Sequence, residues 1–327
     1  MSSAPVVFSA VPTLFRPDGE LDLEANRALY RFLTGLVDGL FVAGTTGEFP
    51  ALDDAERLSL IELALAEAGP DRVIAHIGAP DARHAIKLAK AAVTLGATRI
   101  AAITPFYLAA RPDELTAHYG RIRDAAPDPE FYAYIFPERT ALPVPPALFA
   151  QVAEAAGLAG AKVSGSAAAE LAGYVAAAPG LRILSGDDSN PGATMRAGGA
   201  GVISARSSAY PEVYAALTAA YGADAAGEAD AAGGADTAGG PGGADAAGGA
   251  AGLAVLRQEA LDRIVALGTS IGRIKHALHL RGFGTGVARM TVDPPDAETA
   301  AAIAAQVAAL PAARREGSFI FPVSYTG

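Results

Sequence analysis

Residues Arg72 to Thr104 read RVIAHIGAPDARHAIKLAKAAVTLGATRIAAIT. The two ends, Arg72–Gly78 and Arg99–Thr104, are short apolar runs of strand type, and Asp81–Leu95 between them has the apolar spacing of an amphipathic helix. The alternation continues in both directions. Further strand candidates are Val6–Leu14, Gly39–Gly44, Phe131–Phe136, Leu158–Val163, Leu181–Ser185 and Gly201–Ser204. Helical patterns fall near Asp22–Val37, Pro112–Ala125, Pro146–Ala156 and Ala167–Ala178, with weaker ones near Asn190–Ala197 and Pro211–Ala220. Another opens at Asp53-Asp54-Ala55-Glu56, where a cap and first-turn acids precede Leu58, Leu60, Ile61, Leu63 and Leu65. Eight strands, each followed by a helix, predict an α/β fold of the (β/α)8 TIM-barrel type rather than an open doubly wound sheet.

Past the eighth unit the composition changes. Gly222–Gly252 holds 13 Ala, 11 Gly, 4 Asp and one each of Glu, Thr and Pro, with no aromatic, basic or large aliphatic residue. Such a segment cannot bury enough apolar surface to offset its ordering entropy, so it reads as a disordered, solvent-exposed insertion. Beyond it, Leu253–Gly268, Ile271–Arg281 and Asp296–Leu310 read as three helices. The expected organisation is a barrel over 1–221, an insertion over 222–252, a C-terminal helical appendix over 253–312 and a tail over 313–327. Half of the chain's net charge of −10 belongs to the insertion.

Several function classes lose support. The 25 Lys and Arg are dispersed, so no basic stripe suggests nucleic-acid binding. No apolar run reaches the length of a membrane span, and Met1-Ser2-Ser3-Ala4-Pro5 lacks the features of a secretory signal, which makes a cytoplasmic protein the expectation. With no Cys, disulfides, thiolate metal sites and cysteine nucleophiles are ruled out.

In a barrel of this type the chemistry lies at the C-terminal strand ends. Those ends carry Thr45, Thr46 and Glu48, then Thr104 and Tyr107, then Tyr134, Pro137 and Arg139, then Lys162 and Ser164, then Asp187 and Asp188, and finally Ser204. Lys162 is the sharpest of them. The chain has 21 Arg and four Lys, and a protein that prefers guanidinium keeps an amine where deprotonation is needed. Burial among Leu158-Ala159-Gly160-Ala161 and Val163-Ser164-Gly165 would lower its pKa and leave a neutral nucleophile for a ketone. A strand-end lysine reaching to solvent is the other reading. Tyr134 and Tyr107 are either core aromatics with tied hydroxyls or members of a proton-moving hydroxyl chain. Gly44-Thr45-Thr46-Gly47-Glu48 is either a simple turn or a nest of donors for a carboxylate. His276 and His279 share a helix face without an evident third metal ligand, and the pair Asp187-Asp188 is thin support for a divalent ion.

Six blocks occur together in order: Gly44-Thr45-Thr46-Gly47-Glu48, Thr104-Pro105-Phe106-Tyr107, Tyr134-Ile135-Phe136-Pro137, Gly160-Ala161-Lys162, Ser185-Gly186-Asp187-Asp188 and Gly201-Val202-Ile203-Ser204. From about Val6 to Leu310 the chain resembles the dihydrodipicolinate synthase / N-acetylneuraminate lyase family of pyruvate-dependent class I aldolases. The resemblance implies that Lys162 forms a Schiff base with pyruvate or another 2-keto acid, that Tyr134 transfers protons beside it, and that Thr45 links Tyr134 to Tyr107. The equivalent of Tyr107 comes from a neighbouring subunit in that family, which implies a homodimer or homotetramer. Thr46 and the backbone at Gly47 would hold the keto-acid carboxylate, and the carbonyl of Ile203 would face the reacting centre. No metal or organic cofactor is implied.

Arg139-Thr140 resembles the arginine motif by which the synthases grip the second substrate's carboxylate, a bidentate task. Sialic acid lyases usually lack that arginine. The implied function is a 4-hydroxy-tetrahydrodipicolinate synthase-like aldolase acting on pyruvate and an aldehyde. A 2-keto-3-deoxy sugar acid aldolase or dehydratase and a non-catalytic keto-acid-binding barrel are the alternatives. Departures from the synthase pattern are Ala141 for Gly, Ser270-Ile271-Gly272-Arg273 for the usual proline-rich run before Lys275, and Phe49-Pro50, which resembles members acting on sugar acids. The polar set for feedback lysine is absent at Pro80, His84 and Phe106, so no lysine inhibition is expected.

Overall fold

A computed structural model describes residues 6–108, 110–217 and 258–310. Eight strands run in chain order: β1 (Val6–Ala10), β2 (Gly39–Val42), β3 (Val73–His76), β4 (Arg99–Ile103), β5 (Glu130–Ile135), β6 (Gly160–Val163), β7 (Arg182–Ser185) and β8 (Gly201–Ser204). Each pairs in parallel with the next, and β8 closes on β1, so the sheet is the expected closed barrel. The first strand is shorter than its apolar run. Beyond Ala10 the chain leaves the ladder for the barrel mouth, where Thr13 Oγ1 donates to the Gly47 carbonyl at 2.7 Å.

The strand residues split by parity because successive side chains point to opposite faces. Phe8, Phe41, Ile74, Ile103, Tyr134, Leu184 and Ile203 form one buried cluster inside the barrel. Val7, Leu40, Val42, Val73, Ile100, Phe131, Val163 and Val202 belong to a second, larger cluster with the helices. Both faces of each strand are therefore apolar, as a covered parallel sheet requires.

The surrounding helices begin with α1 (Leu23–Thr34), α2 (Asp54–Ala68), α3 (Ala82–Thr94) and α4 (Pro112–Ala125). Their starts were legible: Asp22, Asp53 and Asp81 cap the first three, and Asp53 with Glu56 makes a reciprocal capping box. In α3, Ala85, Leu88, Ala89 and Ala92 are the buried set, one stripe at helical spacing. A short α5 (Pro137–Thr140) precedes α6 (Pro146–Ala156). The single helix expected over Ala167–Ala178 is two, α7 (Ser166–Ala169) and α8 (Leu171–Ala177), because Glu170 leaves helical geometry at φ −98° and ψ 16°. Then come α9 (Pro191–Arg196) and helical residues 211–217 (α10).

The appendix contributes helical residues 258–266 (α11), α12 (Ile271–Leu280) and α13 (Ala297–Ala308). Arg281, just past the end of α12, grips Glu212 on α10 through both guanidinium NH2 groups at 3.1 and 2.5 Å. Arg289 holds Glu56 on α2 at 2.7 and 2.6 Å. The insertion expected over 222–252 and the tail over 313–327 lie outside the described residues.

Candidate active site

Register builds the centre of the site. Tyr134 on β5 stands opposite Lys162 on β6, and both have the parity that points inward. Lys162 is 5% exposed, and its Nζ sits 4.3 Å from the Tyr134 ring centroid and 4.4 Å from that of Phe41. Burial lowers its pKa from 10.5 to about 7, while the charge of Asp188 acts in the opposite sense. A substantial fraction of the amine is therefore neutral at physiological pH, in a position fixed by two aromatic faces. Gly186 keeps this place open: a Cβ there would lie 1.9 Å from Ser164 Oγ and 3.2 Å from Lys162 Cε.

Tyr134 is 1% exposed, and its hydroxyl lies 3.2 Å from Thr45 Oγ1. Burial raises the pKa of the phenol, with hydrogen bonds from Thr45 and Ser164 opposing, so it is a neutral hydroxyl at pH 7. The Lys162 amine, the Tyr134 phenol and the Thr45 hydroxyl thus stand side by side.

The loop carrying Thr45 is held from three sides. Ala43 and Glu48 take left-handed φ of 54° and 56°, turning the chain sharply around Gly44-Thr45-Thr46-Gly47. His76 on β3 fastens the entry: its Nδ1 is 2.8 Å from the Ala43 carbonyl, and its Nε2 accepts from the Ile103 N–H at 3.3 Å. Those partners require a neutral ring protonated at Nδ1, in keeping with a pKa pushed well below 6.5 by burial and by the charge of Arg57. Glu48 fastens the exit. Its fully buried carboxylate takes an ion pair from Lys275 on α12, and the N–H groups of Arg289 and Met290 donate to it at 2.8 and 2.7 Å. Thr46 and Gly47 sit between these anchors, and among the described residues their own N–H groups meet no acceptor. Two such donors in one tight turn are what an anion nest would need.

The remaining expected residues fall as follows. Arg139 is on α5 at the rim, its guanidinium 5.5 Å over the Phe136 ring. Ile203 is buried in β8 opposite Phe8 of β1. Tyr107 is not brought to Thr45 within the chain: it is 94% exposed on the loop after β4, with φ of 79°. Asp188, read from sequence as half of a thin metal pair, instead pairs with Arg206 and accepts from Ser204 Oγ at 2.6 Å. Among the described residues no three His, Cys, Asp or Glu side chains stand together where they could hold a metal ion.

Sequence reading missed His76, Phe41 and the pairing of Glu48 with Lys275. His76 had one signal, a histidine in an otherwise apolar strand. The ion pair joins residues 227 positions apart and had none. Its consequence is visible above the loop, where barrel and appendix enclose a cavity of about 240 Å³ whose lining includes Thr45, Phe49, Phe106, Arg139, Met290 and Val292.

The model of the Dihydrodipicolinate synthetase family matches residues 4–234. An uncharacterised DapA-like lyase of Halobacterium salinarum is 31% identical over 309 residues, covering 93% of this chain and 93% of the relative. A 4-hydroxy-tetrahydrodipicolinate synthase of Xanthomonas campestris is 35% identical over 214 residues, 64% of this chain and 70% of the relative. The crystal structure of dihydrodipicolinate synthase from Thermotoga maritima superposes with a TM-score of 0.78 at 26% identity, covering 93% of this chain and 97% of that one. The family match, the two relatives and the shared barrel agree with the strand-end residues, and the chain belongs to the dihydrodipicolinate synthetase family of lyases.

Proposed function

We propose that this protein is a cytoplasmic class I aldolase of the 4-hydroxy-tetrahydrodipicolinate synthase type, joining pyruvate or another 2-keto acid to an aldehyde. The observation that carries the reading is the amine of Lys162, buried and lowered to about 7, beside the Tyr134–Thr45 hydroxyl pair. The neutral amine attacks the keto carbon, and loss of water gives the imine. A proton leaves the methyl carbon for the Tyr134 oxygen as the phenol hands its own proton on to Thr45, and the resulting enamine forms a bond to the aldehyde carbon, whose oxygen takes up the proton returned along the same relay. Water then releases the 4-hydroxy-2-oxo acid and restores the amine. Thr46 and the Gly47 N–H hold the keto-acid carboxylate, the Ile203 carbonyl faces the reacting carbon, and Arg139 binds a carboxylate on the aldehyde. No metal or organic cofactor takes part in this scheme.

Tyr107 joins the relay from a second copy, in a homodimer or homotetramer. Its exposure beside the barrel mouth and its left-handed backbone support that placement. Borohydride reduction with pyruvate tests the central step. A stable mass is expected on Lys162 and none on Lys162→Ala; an unlabelled wild-type chain would sink the reading.

A further inference from the structure

Among the described residues Lys162 forms no ion pair, and its Nζ lies between the ring faces of Phe41 and Tyr134. The titratable groups around it come from three elements: the neutral phenol of Tyr134 on β5, the neutral ring of His76 on β3 and the carboxylate of Asp188 after β7. Asp188 is the acid among them whose charge acts on the amine. The chain that carries it runs against the lysine stem, since a Cβ on Gly186 would lie 3.2 Å from Lys162 Cε. The carboxylate itself is engaged elsewhere. Its Oδ2 accepts from Ser204 Oγ on β8 at 2.6 Å and from the Arg206 N–H at 3.0 Å. Its Oδ1 takes the ion pair from the guanidinium of Arg206, which is buried like Asp188. Arg206 opens the helical turn Arg206–Ser208 after β8, and Ser204 Oγ fastens that turn by accepting from the Ser207 N–H at 2.8 Å. On the other side the neutral Tyr214 phenol donates to the Asp188 carbonyl at 2.9 Å.

Three donors thus hold one carboxylate away from an amine that its charge still reaches. A buried pair such as Asp188 and Arg206 adds little net stability, because desolvating both ions offsets their attraction. Its effect on the nucleophile is larger. A buried amine beside a carboxylate without other partners keeps its proton and cannot attack, whereas the same amine gives up the proton readily once that carboxylate is paired. We propose that Arg206 is a positioning residue for the Schiff-base step: it detains the Asp188 carboxylate beside β8 and so leaves Lys162 without a counter-charge, able to attack as a neutral amine. The proposal rests on the Schiff-base reading and adds to it the residue that sets the charge of the nucleophile. Arg206 acts through Asp188, not on the keto acid.

The experiment measures the initial rate of borohydride-trapped pyruvate adduct against pH in the full-length chain. In Arg206→Gln the released carboxylate turns to Lys162 and holds its proton. The lower limb of the profile should then move from about pH 7 to about pH 8 or above, with trapping about tenfold slower at about pH 6. Asp188→Asn should move the limb the other way, because the counter-charge is gone and the Arg206 cation remains. Combining the two substitutions removes both charges and should return the limb towards its wild-type position. A role confined to folding would lower the plateau and leave the limb in place. Ser204→Ala removes one donor and no charge; it should move the limb upward by less than Arg206→Gln, and with Asp188→Asn it decides the matter should Arg206→Gln fail to fold. A limb that stays in place in the folded variants, or one that moves in the same direction on loss of the cation and on loss of the carboxylate, overturns the proposal and leaves the Schiff base standing. A wild-type chain that forms no adduct removes the underlying reading and the proposal with it.

Discussion

At the residue scale the proposed mechanism assigns the chemistry to one amine and one phenol, and their protonation states make separate predictions. Lys162 is lowered to about 7 by burial, so its neutral form dominates above that pH and is lost below it. The initial rate of borohydride-trapped adduct formation should plateau above about pH 7 and fall by about tenfold per unit below it. A rate independent of pH between about 5 and 8 would show that the free amine is not what attacks. In the proposed mechanism Tyr134 transfers protons without forming the covalent bond. Tyr134→Phe should therefore keep adduct formation and lose turnover by about 10²–10⁴-fold, the usual worth of a general acid–base group. Turnover within a factor of two of wild type would mean that the proton travels by another route. Lys162 stands out in the sequence itself because the chain uses lysine sparingly. Its neutral state does not, since burial is a property of eight strands and not of its neighbours along the chain.

At the scale of elements, the decisive contact is between the loop after β2 and helix α12. Glu48 and Lys275 are both fully buried, and each is the other's charge partner. Removing one leaves an uncompensated charge in the interior, which costs about 3–5 kcal/mol. Glu48→Gln should accordingly lower the melting temperature and raise KM for pyruvate, since the Thr46–Gly47 loop loses its exit anchor. Combining it with Lys275→Met should recover much of the thermal loss, because a buried pair replaced by uncharged groups of similar volume is close to neutral. A double variant as unstable as the sum of the two single variants would show that the residues act independently. Helix boundaries were legible wherever an Asp cap or a Pro at the first turn announced them. The break at Glu170 was not, because Ala-rich sequence on both sides has full helical propensity and packing decides where it stops.

At the largest scale the described residues form a barrel whose mouth is partly roofed by the start of α12 and the chain between α12 and α13, with a compositionally separate segment between barrel and appendix in sequence. Deleting Asp224–Ala250 should leave adduct formation and kcat unchanged, since a stretch with no aromatic or large aliphatic residue has little to pack against a core; loss of the pyruvate adduct would mean that the segment reaches the site. Local sequence by itself determined the alternation of strand and helix, the parity that covers both strand faces with apolar residues, and the strand-end placement of Lys162, Tyr134 and Thr45. These follow from periodicity and residue chemistry within short stretches of chain. Only the tertiary structure decided that Tyr134 and Lys162 share a register, that His76 and Glu48 hold the two ends of one loop, and that Met290 and Val292 roof the cavity. Those outcomes depend on closing the sheet, which brings residues from opposite ends of the chain into a water-poor space. There, charge, burial and shape act on neighbours that sequence never places side by side.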